Sequence, residues 1–306
     1  NTFQKVAKNY IAENQSSWRS NVTKKQWPNS LRDYVYPIIG SKPVHLITIH
    51  DVLSVLRPIW SEKTTTATRV RSRIENILDY ATTLEMRQGN NPAVWRGNLS
   101  KVLPAPKKVH KIKSHSAVSY TELHSFLMEL RKRKGVGARA LEFTILTGSR
   151  TRPLLLAKWE DIDFDNAIWN CPEDNMKSGN FFRIPLSEPA MNIINSQKKY
   201  SRGDYIFGHE QTGEKSSNNC MLYTIYRMGY RGKVTTHGMR STMRDWAGET
   251  TKYSERIVEV CLDHTVNTAN QAAYQRGDYL IKRREIMDGW GRFCYPTGDK
   301  VVSIRA

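Results

Sequence analysis

Six residues between positions 150 and 274 of this 306-residue chain have the chemistry to act together on one phosphodiester. Arg150 follows a glycine in LTGSRTRPLLLAKWEDID, and Lys177 sits in NMKSGNFFRIPLS. His237 and Arg240 lie three residues apart in THGMRSTMRDWAGE, and His264 and Tyr274 lie ten apart in VCLDHTVNTANQAAYQRGDYL. Two arginines can fork onto the non-bridging oxygens of a phosphate. Two histidines can donate hydrogen bonds or move protons. A tyrosine can attack as a covalent nucleophile, and a lysine can protonate a leaving oxygen. Taken singly, each has an ordinary explanation. An arginine at a helix end commonly answers the helix dipole, a lysine in a hairpin is commonly solvated, and H-x-x-R alone is a polar first turn.

The bulk composition favours a polyanionic partner. The chain carries 47 Lys and Arg against 29 Asp and Glu, a net charge of +18, and such a balance points to nucleic acid. The excess is uneven: residues 1–117 hold 19 basic and 7 acidic residues. A run of about 18 apolar residues, the length that spans a bilayer, is missing, as is a signal-peptide pattern. No membrane partner is therefore expected. Cys171, Cys220, Cys261 and Cys294 are too scattered for a zinc site. They fit a reducing cytoplasm as buried thiols. The first residue is Asn, which suggests a piece of a longer protein.

The elements that must position these residues can be sketched. Ala67, Val70, Ile74, Ile77, Leu78 and Ala81 recur at helical spacing. Arg69, Arg73 and Asn76 fall away from that stripe and form a candidate cationic face. TIHDVLSVLRPIW predicts a second helix with Thr48 as N-cap and Pro58 as its end. Residues 101–118, KVLPAPKKVHKIKSHSAV, read as an extended linker whose Lys107, Lys108, Lys111 and Lys113 could run along phosphates. Ser119 and Glu122 then suggest a capping box. ARALEFTILTG predicts a helix closed by Gly148. AIWNC and FFRIPLS predict strands around the Lys177 loop, and helices return from about residue 188 to Phe293, with Trp246 in the core. The expected fold is mainly α with a small antiparallel β-sheet. A helical core-type DNA-binding domain spans 1–100, a basic linker 101–117, and an α+β catalytic domain with a C-terminal tail 118–306.

The order and wording of these motifs resemble the catalytic domain of tyrosine recombinases, and within them the phage and genomic-island integrases. LTGSRT, AKWEDID, MKSG, RIPLS, THGMRSTMRDWAGE and LDHTVNTANQAAYQRGDYLIKRREIMDGWGRFC carry the likeness across about residues 118–296. It is looser over 1–117. The resemblance implies that Arg150 and Arg240 are the two catalytic arginines, Lys177 the strand-loop lysine, His237 the H-x-x-R histidine, His264 the third-motif histidine and Tyr274 the nucleophile. One departure stands out: three residues after the first arginine the family usually has an acid, and here stands Pro153.

That likeness implies a site-specific recombinase working through a 3′-phosphotyrosine, without cofactor or metal, on double-stranded DNA. It implies a homotetramer on two duplexes, accessory DNA-bending and excisionase proteins, and a cytoplasmic, nucleoid location. A hydrolytic nuclease would instead need a carboxylate–metal cluster, and no such spacing is evident. Two other readings stay open. One is a type IB topoisomerase-like relaxing enzyme. The other, given Pro153, is a DNA-binding regulator on an inactive recombinase scaffold.

Overall fold

The computed structural model describes residues 1–18, 20–110, 116–264 and 277–296. The chain divides into two compact units, Asn1–Lys113 and Ser114–Ala306. The architecture is mainly helical with one three-stranded antiparallel sheet.

The first unit packs α1 (Phe3–Asn14), α2 (Asn21–Tyr34), α3 (Tyr36–Ile39), α4 (Ile49–Trp60), α5 (Thr64–Thr83) and α6 (Pro106–Val109). The whole apolar stripe of α5 is buried, against Val52, Leu56 and Ile59 of α4 and Phe3, Val6 and Leu31. Thr48 caps α4 in a reciprocal box with Asp51. Pro58 does not end that helix, which continues to Trp60. Burial of Ile59 and Trp60 outweighs the single helical hydrogen bond a last-turn proline cannot make. The indole Nε1 of Trp60 also donates to Pro104 O at 3.0 Å.

Two expectations change in this unit. Residues 101–110 are not extended: Leu103 is buried in the first core, α6 follows, and Trp60 holds Pro104. Arg73 leaves the cationic face. It is only 9% exposed, its Nη1 donates to Gln26 O at 3.0 Å and to Ser30 Oγ, and its guanidinium lies 5.3 Å from the Trp27 ring centroid. Arg73 therefore ties α5 to α2. Arg69, Lys107 and Lys108 are exposed, whereas Lys111 and Lys113 lie outside the described residues.

The second unit is built around α8 (Val136–Thr147), which is buried along nearly its whole length. Around it stand α7 (Leu123–Arg131), α10 (Glu188–Gln197), α11 (Cys220–Arg227), α12 (Gly238–Thr250), α13 (Glu255–Cys261) and α14 (Leu280–Cys294), with short α9 (Thr151–Leu155) following α8. The sheet runs β1 (Ile162–Asp163), β2 (Ile168–Cys171), β3 (Phe182–Pro185), with Trp169 opposite Ile184 and Cys171 opposite Phe182. Trp290 of α14 donates its Nε1 to Ile145 O at 2.8 Å. Trp246 is buried beside it, with ring centroids 5.0 Å apart. No capping box forms at Ser119, which instead starts a short 3-10 turn, Tyr120–Glu122, ahead of α7. Residues 198–219, expected to be helical, contain no helix and are tied by isolated bridges at Tyr205 and Gly208.

The first stretch of the second unit lies across the start of α12. Thr235 N donates to Ser116 O at 2.9 Å, and Thr242 Oγ1 donates to Val118 O at 2.6 Å. Gly238 sits between them because a Cβ there would come within 2.1 Å of Ser116 O.

Candidate active site

Four local devices set the site. The first is the end of α8. Gly148 closes it in the left-handed conformation, φ +60°, which glycine adopts without the usual penalty. The chain thereby turns out of the core and presents Arg150 as the N-cap of α9. The second is α12, whose N-cap is His237. Arg240 falls on its first turn, pointing inward and only 3% exposed, while His237 is exposed. The third is the end of α13, where Leu262, Asp263 and His264 turn back, with Asp263 at φ +50°. His264 N donates to Glu259 O at 3.0 Å. The fourth is the loop between β2 and β3, held by Arg152 Nη2 donating to Asp174 O at 3.0 Å and by buried Met176.

These devices bring three of the six sequence candidates into one network. Arg240 donates from Nη1 to Gly148 O and from Nη2 to Leu262 O. Its Nη2 also lies 3.0 Å from His264 Nε2. Arg150 pairs through Nη1 with Asp263 Oδ2 and donates from Nη2 to Asp263 O at 2.7 Å. Both arginines and Asp263 line a narrow crevice with Pro153 and Met176. Burial, and then the like charge of Arg150, lower the Arg240 guanidinium to about 10; Asp263 and Glu259 pull the other way. It remains a cation at neutral pH.

His264 is oriented from behind. Its Nδ1 pairs with Glu259 Oε2, and the other carboxylate oxygen of Glu259 pairs with Arg244 Nε. Burial raises the Glu259 carboxyl, but hydrogen bonds and charges from His264 and Arg244 outweigh it and hold the group below its ordinary value. A carboxylate on Nδ1 fixes the proton there and turns Nε2 toward the cleft. That cleft, ≈ 440 Å³ and open to solvent, is lined by His237, Arg240, Ser241, Arg244 and His264, with Glu255, Glu259 and Leu262. His237 therefore joins the group.

Lys177 is exposed in the β2–β3 loop, directly after Met176, and lines neither cavity. Tyr274 lies outside the described residues. Sequence reasoning missed Asp263 and Glu259. Both are acids within five residues of His264, and a search for anions to balance two nearby arginines could have found them. Pro153, at the position where the resemblance expects an acid, is buried and lines the same crevice as Arg150.

The model of the phage integrase family matches residues 117–278, more than half of the chain, and that of the phage integrase central domain matches residues 3–98. The chain belongs to the phage integrase family. It is 28% identical over 292 residues to the prophage integrase IntZ of Escherichia coli (strain K12), covering 94% of this chain and 70% of that protein. To the integrase of Enterobacteria phage P4 it is 26% identical over 331 residues, covering 99% and 71%. Among solved structures, a lambda integrase dimer bound to a COC′ core site superposes with a TM-score of 0.70 at 17% identity, covering 88% of this chain and 97% of that one. The Tn1549 transposon integrase with circular intermediate DNA gives 0.69 at 16%, covering 94% and 99%. At such identities these two likenesses concern the fold. Among the described residues no helix is long and apolar enough to cross a membrane.

Proposed function

We propose that the chain is a site-specific recombinase that integrates or excises a mobile element by cutting and rejoining double-stranded DNA through a 3′-phosphotyrosine. One arrangement carries this reading: Arg240, His264 and His237 line one open cleft, and Arg240 also shares the narrow crevice with Arg150. In it the phenolic oxygen of Tyr274 attacks the scissile phosphorus. A phenol has a pKa of about 10 and must lose its proton during attack; His237 takes it. Arg150 and Arg240 hold the charge that grows on the non-bridging oxygens, and His264 adds a hydrogen bond by accepting at Nε2 from Arg240 Nη2. Lys177 protonates the departing 5′ oxygen. The 5′-hydroxyl of a partner strand then reverses the step, so the bond energy is kept and no ATP is consumed. Donors aimed at developing charge are commonly worth about 10²–10³ each in rate.

Likeness to the integrases further supports a homotetramer working on two attachment-site duplexes, with DNA-bending and excisionase proteins as accessories and the bacterial nucleoid as its place of action. Exposed Arg69, Lys107 and Lys108 are candidates for phosphate contacts by the first unit. The domain assignment proposed from sequence stays with this reading: a DNA-gripping front part and a catalytic part from about residue 118. The inactive-scaffold alternative rested on Pro153. It loses its footing where Asp263 supplies Arg150 with a carboxylate.

The test is covalent trapping on a nicked duplex carrying the element's end sequence. The wild-type chain should yield a protein–DNA adduct resistant to denaturant, and Tyr274→Phe should yield none. An adduct that persists in Tyr274→Phe would remove Tyr274 from the nucleophile's place.

A further inference from the structure

The crevice beside Arg150 poses a charge problem. Two guanidinium groups, Arg150 and Arg240, line one narrow space, and like charges this close repel strongly where water is scarce. Arg240 makes its hydrogen bonds to two carbonyls and to His264, none of which carries negative charge. At the third residue of α9, where a side chain could turn back to Arg150, stands Pro153, which offers neither charge nor acceptor in its side chain. An anion has to come from elsewhere.

It comes from Asp263. We infer that Asp263 is a positioning residue of the strand-transfer site, which holds Arg150 in its phosphate-binding pose from the α13 side and substitutes for the acid absent at 153. Three observations converge on it. Its carboxylate pairs with Nη1 of Arg150 and its own carbonyl oxygen accepts from Nη2 at 2.7 Å, so one residue grips both terminal nitrogens. Its backbone is at φ +50°, a left-handed conformation that costs most residues energy and that Asp and Asn tolerate better than others. That turn aims the carboxylate at Arg150 while the next residue, His264, faces Arg240. Its side chain is 15% exposed, so the pair is weakly screened. Asp263 therefore couples three of the site's groups: the first arginine by contact, the histidine by chain adjacency, and the second arginine by charge. Asp263 itself does not need to touch DNA.

This inference rests on the recombinase reading above. The experiment uses the full chain, single-turnover cleavage of the same nicked duplex at saturating DNA, and a separate measurement of the dissociation constant for that duplex. Asp263→Asn keeps the shape and loses the charge. It should slow cleavage about 100-fold, the lower end of the range for losing one oriented donor, while affinity for the duplex changes less than threefold. Asp263→Gly suits φ +50° and empties the space the carboxylate fills. It should be slow likewise, and adding Pro153→Glu to it should recover at least tenfold, because the new carboxylate reaches Arg150 from α9. A merely structural role would predict no such recovery from an acid on another element. Asp263→Asn cleaving at or above the wild-type rate would overturn the inference, since Asp263 would then be idle or a restraint on Arg150. Failure of Pro153→Glu to recover any rate in Asp263→Gly would overturn the substitution. No adduct from the wild-type chain would instead count against the recombinase reading itself.

Discussion

Glu259→Gln isolates the support behind His264. The carboxylate of Glu259 serves two donors with two oxygens, His264 Nδ1 on one and Arg244 Nε on the other. An amide of the same shape has one oxygen and one NH2, so one of the two donors must face a donor. Hydrogen bonds to charged groups contribute about 1.5–3 kcal/mol each. The Glu259 side chain is 17% exposed, but Arg244 is 50% and His264 37% exposed; screening therefore discounts these bonds, and the loss at neutral pH should be about 1 kcal/mol, or about 3 °C in melting for a unit of this size. The sign of the pH effect follows from the shift. Because the Glu259 carboxyl is held below its ordinary value, its contribution is fully present above the unfolded pKa of about 4.3 and fades as pH falls through the lower, folded value. The melting gap between wild type and Glu259→Gln should therefore be widest above the unfolded value and close only once pH has fallen below the lowered, folded one. Loss of the fixed tautomer should slow single-turnover cleavage about 10²-fold, the scale of a misdirected transition-state donor. A cleavage rate within threefold of wild type, with a melting gap that ignores pH, would refute the claim that Glu259 orients His264.

Two further substitutions probe the frame. Gly148→Ala adds a Cβ 2.8 Å from Leu262 Cδ2 and 3.1 Å from Met243 Sδ at φ +60°; it should cost about 2–4 kcal/mol in thermal or denaturant unfolding and slow cleavage, because Gly148 O holds Arg240. In the first unit, Arg73→Ala should lower the melting temperature and leave the salt dependence of DNA binding unchanged. Lys107→Ala should do the reverse and reduce the slope of log K against log salt by about 0.9 if Lys107 contacts a phosphate.

Elements with one strong periodic signal were legible from sequence. The α5 stripe, the Thr48 cap, the Gly148 turn and the two strands flanking Lys177 all follow from local side-chain pattern. What escaped was decided by packing between distant segments. Pro58 is tolerated because Trp60 has a core to enter, and Arg73 is consumed by Gln26 and Ser30, more than forty residues away. Nothing in the spacing of KVLPAPKKV announces that Leu103 finds a place in the first core. At the site, His237, Arg240 and His264 were recognisable as types at a spacing. Their carboxylate partners were not, because the Arg150–Asp263 pair spans 113 residues and depends on two chain reversals at Gly148 and Asp263.

The crossing of Ser116 and Val118 over the start of α12 has a mechanical consequence. The chain enters the second unit not at a remote corner but hydrogen-bonded to the turn that carries His237 and Arg240. The segment is thus pinned at Ser116 and Val118, to Thr235 and Thr242, on either side of that turn. Gly238 leaves no slack beneath Ser116. A displacement of Ser116 would therefore pass directly to the helix that carries Arg240, so the stretch that opens the second unit is also a brace for that helix.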